Sequence, residues 1–172
     1  MRSILFRHGP AEARDPARWP DDLGRPLTRR GVERTRRAAR GVARLEPGAA
    51  LVWSSPAARC LESAILVAEA LEGSGEPATL DSLAPDGDWR ETVRRLARED
   101  AGAHVVLVGH EPELSVLAAA LLGGPPTAFA FKKAGACALD WDERVPGKAR
   151  LRWWLGPSAL RDVKPRRKGS VA

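Results

Sequence analysis

The sequence predicts an α/β domain built on a mixed, mostly parallel sheet. Strand-like runs alternate with helical ones over the first two thirds of the chain. The clearest run, HVVLVGH (104–110), is apolar and rich in valine, as a central parallel strand is. In the last third short alternating segments are separated by turns, which predicts antiparallel strands added at one edge.

Taken in order, Ser3 to Phe6 is the first expected strand, followed by a loop rich in Pro, Asp and Gly that reaches Leu27. Thr28 is placed to cap a helix ending near Leu45, with Val32, Ala39, Val42 and Ala43 giving a partial helical period. ALVWSS (50–55) reads as the second strand. Pro56 stands where a first helical turn tolerates proline, and Leu61, Ile65, Leu66, Ala68 and Leu71 are expected on the buried side of the helix that follows. GSGEPA (73–78) is a turn, and TLDSL (79–83) a short third strand or extended link. Asp88 and Glu91 are spaced as a capping box for a helix from Trp89 to about Glu99. Pro112 opens a further helix whose Leu114, Leu117, Ala118 and Leu121 form a core stripe, broken by GGPP (123–126). The segments TAFAFK (127–132), ACALDWD (136–142) and ARLRWWL (149–155) are the expected antiparallel strands.

A chain of 172 residues can bury a full core as one unit, here expected over residues 1–162. The basic stretch 163–172 has too few apolar residues to fold alone and is expected to be a flexible tail. No apolar leader opens the chain, so a cytoplasmic location is expected, with no membrane partner. The 28 Lys and Arg exceed the 22 Asp and Glu, which favours partners that carry phosphate. The arginines are scattered along helical stretches instead of packed in one block, so nucleic acid is not the expected partner. Cys60 and Cys137 form no metal or redox motif, and six positions after them stand Leu66 and Glu143, where a cysteine-based phosphatase needs arginine. No metal or cofactor is expected.

Three sites share one topological position, the carboxyl end of a strand: Arg7-His8-Gly9, Ser55-Pro56-Ala57-Ala58-Arg59 and Gly109-His110-Glu111-Pro112. Ligands of open α/β sheets bind beyond those ends, so two histidines and two arginines converge there. Such a set suits a phosphoryl group. A guanidinium forks onto two phosphoryl oxygens and stays charged at any working pH, the role open to Arg7 and Arg59. A neutral imidazole, His8, can attack phosphorus and become phosphohistidine, which water then releases as inorganic phosphate. The helices that begin near Pro56 and Pro112 are expected to aim amides at the same point, and Gly9 and Gly109 to admit close backbone approach.

These residues resemble the motifs of the histidine phosphatase superfamily, which includes the phosphoglycerate mutases. Arg7-His8-Gly9 matches its R-H-G, Leu27 to Gly31 its helix start, Ser55 to Arg59 its S-P-x-x-R, and His110 its second catalytic histidine. The length, together with RPLT (25–28), LAPDGD (83–88), VGHEP (108–112) and FKKAGACALDW (131–141), is similar to the SixA-type phosphohistidine phosphatases. The resemblance implies a three-layer α/β/α sandwich of phosphoglycerate mutase-like form. It implies His8 as the phospho-accepting nucleophile, His110 as a stabiliser of the transition state, and a substrate site made by Arg7, Arg59, Gly9 and Glu111. After the arginine the family pattern A-x-Q-T is replaced by Cys60-Leu61-Glu62-Ser63.

The glutamate that protonates alkoxide leaving groups in the mutase and sugar phosphatase branches has no clear counterpart. Asp86 and Asp88 are the candidate acids, Asp88 being better explained as a helix cap. Imidazole needs less help in leaving than an alcohol, so a lean site fits protein phosphohistidine, with small phosphorylated molecules as the alternative substrate class. A phosphoprotein-binding module without turnover is the rival from another class. Trp19 is open to a binding rim and Glu12 to pairing with Arg7 or Arg59, whereas His104 and Asp140-Trp141-Asp142 are read as structural.

Overall fold

The computed structural model describes residues 1–165; the expected tail lies outside the described residues from position 166 onward. The elements in order are β1 (Arg2–Arg7), α1 (Arg29–Leu45), β2 (Leu51–Ser54), α2 (Ala58–Ala70), β3 (Ala78–Thr79), α3 (Trp89–Leu96), β4 (His104–Gly109), α4 (Glu113–Leu122), β5 (Ala136–Asp140), β6 (Arg150–Leu155) and α5 (Pro157–Asp162). Single 3₁₀ turns stand at Asp81–Leu83 and Pro126–Ala128. The strands make one sheet ordered β3-β2-β4-β1-β5-β6. Its first four members are parallel, and β5 and β6 are added antiparallel at one edge.

Strand pleating sends alternate side chains to opposite faces. Ile4, Phe6, Val106 and Val108 join Ala38, Ala39 and Val42 of α1, Ala64 and Val67 of α2, and Leu160 of α5. Leu5, Val105 and Leu107 join Val93 and Leu96 of α3 and Leu114, Leu117 and Leu121 of α4. The result is the expected three-layer α/β/α sandwich, with β1 and β4 buried on both faces.

Four local expectations are corrected. Leu66 of α2 and Leu71 just past its end are buried as expected, but Cys60, Ala64 and Val67 complete the buried side, and Ile65 is 49% exposed. Close packing against the small residues of α1 sets that phase, and it turns Arg59 and Ser63 toward the end of the sheet. The segment 127–132 is not a strand. Its backbone groups serve side chains instead of a ladder: Phe129 O accepts from Ser115, Phe131 N donates to Glu111, and Phe131 O accepts from Arg7. Asp88 does cap α3, accepting from Arg90 N at 2.9 Å, but α3 ends at Leu96 and Glu91 makes no reciprocal bond. Pro56 precedes α2, whose N-cap is Ala57. Sequence reasoning also missed α5, which sits so close to α1 that a Cβ on Gly41 would stand 2.0 Å from Leu160 O.

Candidate active site

The strand ends predicted to converge do so. Arg7 lies in register with Gly109, and Ser54 with Val108. The ladder runs one residue further, with His8 N donating to Gly109 O at 3.1 Å and Ser55 N to Val108 O at 2.9 Å. His8, Ser55 and His110 therefore stand side by side just past the sheet, and Arg59 reaches them from the first turn of α2. Arg7, His8, Arg59 and His110 line one cleft of about 680 Å³.

His8 is 5% exposed and its Nδ1 lies 2.7 Å from Gly9 O. A carbonyl can only accept, so Nδ1 carries the proton and Nε2 keeps its lone pair. The His110 ring centroid is 5.4 Å away, with the rings inclined at 63°. His110 Nε2 lies 2.6 Å from Ser55 Oγ, which also receives Ala57 N–H at 3.3 Å. Ser55 Oγ can donate to Nε2 or accept from it; when it donates, the His110 proton sits on Nδ1. Cys60 Sγ packs 3.5 Å from Nε2, its thiol pushed up to about 12 by burial.

Burial, with His110, Arg59 and Arg7 adding positive charge, pushes the His8 imidazole down to about 3. Burial and Arg59 push His110 down to about 4. Both rings are neutral near pH 7, the state a nucleophile needs. Stability follows. Between these values and the ordinary value of about 6.5 the unfolded chain binds more protons than the folded one, so folding weakens as pH falls through that window. The urea midpoint is expected to be flat above about pH 7 and to drop toward pH 4. Replacing His8 by Asn should flatten that drop; an unchanged slope would refute the assignment.

The arginines are differently held. Arg7 donates from one terminal nitrogen to Phe131 O, and Arg59 from another to Asp22 O at 2.7 Å, with a second contact to Asp22 Oδ2 at 3.2 Å. Both guanidinium Nε atoms are buried with no partner. Buried donors are normally satisfied, and both of these orphans belong to arginines that line the cleft.

Several predicted site residues do other work. Gly9 donates its amide to Ser63 Oγ at 3.0 Å, and a Cβ there would stand 1.9 Å from Thr35 Oγ1; it packs the site and offers no amide to a ligand. Glu111 lines the cleft, and its two oxygens accept from Phe131 N and Ser115 Oγ, each at 2.6 Å, so it braces the segment that holds Arg7. The first amide of α2 is taken by Leu23 O at 2.8 Å. Neither Asp86 nor Asp88 lines the cleft; Asp88 is a cap and Asp86 N donates to Glu113. Trp19 stacks with Arg18 and is absent from the lining, and it is Asp22, not Glu12, that pairs with Arg59. Sequence reading missed Ser55, Ser63, Asp22 and Glu113. Ser55 and Ser63 carried a signal, Ser55 as the first residue of S-P-x-x-R and Ser63 at the threonine of the family pattern.

The family model that matches residues 3–84 is that of the histidine phosphatase superfamily, branch 1. An uncharacterized protein of Picosynechococcus sp. is 34% identical over 142 residues, 81% of this chain and 84% of that protein. The structure of a protein histidine phosphatase SixA complexed with tungstate superposes with a TM-score of 0.81 and 26% identity, covering 93% of this chain and 99% of that one. A mycobacterial glucosyl-3-phosphoglycerate phosphatase with inorganic phosphate has a TM-score of 0.70 at 20% identity, covering 91% and 98%, and shows the fold alone. No described helix is long and apolar enough to cross a membrane.

Proposed function

Because the chain belongs to the histidine phosphatase superfamily, we propose that it is a phosphohistidine phosphatase working through a covalent intermediate on His8. One observation carries the reading: a neutral imidazole, its Nδ1 proton tied to Gly9 O, stands beside two guanidinium groups whose Nε atoms lack partners. The Nε2 lone pair attacks phosphorus as the bond to the leaving imidazole breaks, and that imidazole takes a proton from solvent. Arg7 and Arg59 neutralise charge on the equatorial oxygens, and His110 donates to one of them through Nδ1. Water then attacks the phosphorylated His8, the P–N bond breaks, and inorganic phosphate leaves with His8 restored. No step draws on a metal or cofactor.

The test is a substrate panel of phosphohistidine protein, phosphosugars, nucleotides and polyphosphate, each with and without a chelator. The expected result is fastest turnover of phosphohistidine at a rate the chelator does not change. Faster hydrolysis of a phosphosugar would overturn the substrate assignment, and loss of activity with chelator the mechanism.

Glu113 favours a second reading, a small-molecule phosphomonoesterase. It lines the cleft, and its Oε2 is buried with no partner, the place of an acid that Asp86 and Asp88 do not fill. If it serves an alkoxide, Glu113→Gln will slow alkyl phosphates by about 10²-fold and spare phosphoramidate. Equal effects on both would remove this reading.

A further inference from the structure

The cleft is wider than one phosphoryl group requires, and its outer wall is cationic. Arg14 and Lys133 line it beyond Arg7 and Arg59. Each stands on anchored backbone. The loop carrying Arg14 is closed at its neck by the Ala11–Leu27 bridge and by Glu12 N donating to Pro26 O at 3.0 Å. Lys133 stands in a turn closed by Gly135 N on Lys132 O at 2.7 Å, and Ala134 N fastens that turn to the carbonyls of Arg7 and His8 at 3.0 Å.

Three of the four carboxylates of the cleft are engaged elsewhere. Asp22 pairs with Arg25 and Arg59, Asp21 accepts from Leu23 N and Gly24 N, and Glu111 accepts from Phe131 N and Ser115. Glu113, with Oε1 on Asp86 N, makes no ion pair. Among the described residues, neither Arg14 nor Lys133 has a carboxylate within ion-pairing distance. Burial, together with the positive field of Arg7, Arg25 and Arg59, lowers the Lys133 ammonium from its ordinary value. Two cations without a paired carboxylate, beside a phosphoryl site, are placed to attract a second anion.

We infer that Arg14 and Lys133 form a subsite for a second anionic group, so that the preferred substrate carries a negative charge next to its phosphoryl group. The inference rests on the phosphatase reading above. The same chemistry is offered by an acidic side chain flanking a phosphohistidine and by a carboxylate on a small phosphomonoester.

Four substrates separate the sources: a phosphohistidine peptide flanked by Glu and its Ser-flanked twin, and phosphoglycolate with ethyl phosphate. Phosphoramidate, which has no second anion, is the reference. Wild type is expected to prefer the anionic member of at least one pair, and that pair identifies the source. In Arg14→Ala/Lys133→Ala the preference should collapse, with kcat/KM on that member down about tenfold through KM and phosphoramidate unchanged. Added salt should erode the wild-type preference in the same way. Equal turnover of both members of both pairs by wild type, or equal slowing of phosphoramidate by the double variant, would overturn it.

Failure of the phosphatase reading is distinguished by binding. Pyrophosphate and inorganic phosphate are compared by calorimetry on wild type and the double variant, without turnover. Where no substrate of the panel is turned over at all, tighter binding of pyrophosphate, lost in the variant, supports the subsite while the phosphatase reading fails. Equal affinities in wild type count against it.

Discussion

His8→Ala is expected to lower kcat by on the order of 10⁴-fold or more and to abolish the covalent intermediate, because no other group in the cleft replaces a neutral imidazole anchored through Nδ1. The nearest substitute, His110, has its Nε2 committed to Ser55, and the thiol of Cys60 is held protonated by burial. Phosphohistidine survives alkali, so quenching a reaction at high pH and weighing the intact protein should show one added phosphoryl group in wild type and none in the variant. Arg7 and Arg59 remain, and inorganic phosphate should still raise the variant's melting temperature. That combination distinguishes an enzyme from a phosphoprotein-binding module. Turnover that survived the substitution would place the nucleophile elsewhere.

The fold was legible where a short stretch carried its own chemistry. The valine-rich run before His110 could only be buried on both faces, and the Thr28 cap, accepting from Gly31 N at 2.8 Å, marks the start of α1. Legibility ended where a long-range partner decides. Nothing local in 127–132 says that its carbonyls and amides are taken by Arg7, Glu111 and Ser115, so an alternating pattern passed for a strand. The inward side of α2 was misjudged in part for a related reason. Leucine and isoleucine spacing favours Ile65, but a helix packed closely on Ala38 and Ala39 buries its small residues instead.

The site divides the same way. Residues at strand ends could be placed because topology alone brings strand ends together, and His8, His110, Arg7 and Arg59 do line one cleft. The residues that hold them could not. Ser55 orients His110 only because β2 lies beside β4, and Asp22 reaches Arg59 only through a loop whose path no periodicity describes. Gly9 and Glu111 stand next to the motif histidines, but position in the chain leaves open which way a group is turned. In both cases a protein partner takes the hydrogen bond.

Arg59→Ala should cost about 10³-fold in kcat/KM, most of it in kcat, since charge on the equatorial oxygens grows as the phosphoryl group transfers. Arg59 is 5% exposed, and two of its nitrogens are already oriented by Asp22, one by the carbonyl and one by the carboxylate. Its guanidinium is thus fixed before substrate arrives, with Nε left over. Lysine restores the charge without the fork, so Arg59→Lys should recover part of the loss and remain about tenfold or more below wild type. Asp22→Asn separates positioning from charge. It keeps the carbonyl contact but removes a negative charge from beside the phosphoryl site, so phosphate should bind more tightly while kcat falls as Arg59 loses part of its restraint. A kcat in Arg59→Ala within a few-fold of wild type, in protein shown to be folded, would mean that Arg7 alone carries the phosphoryl charge.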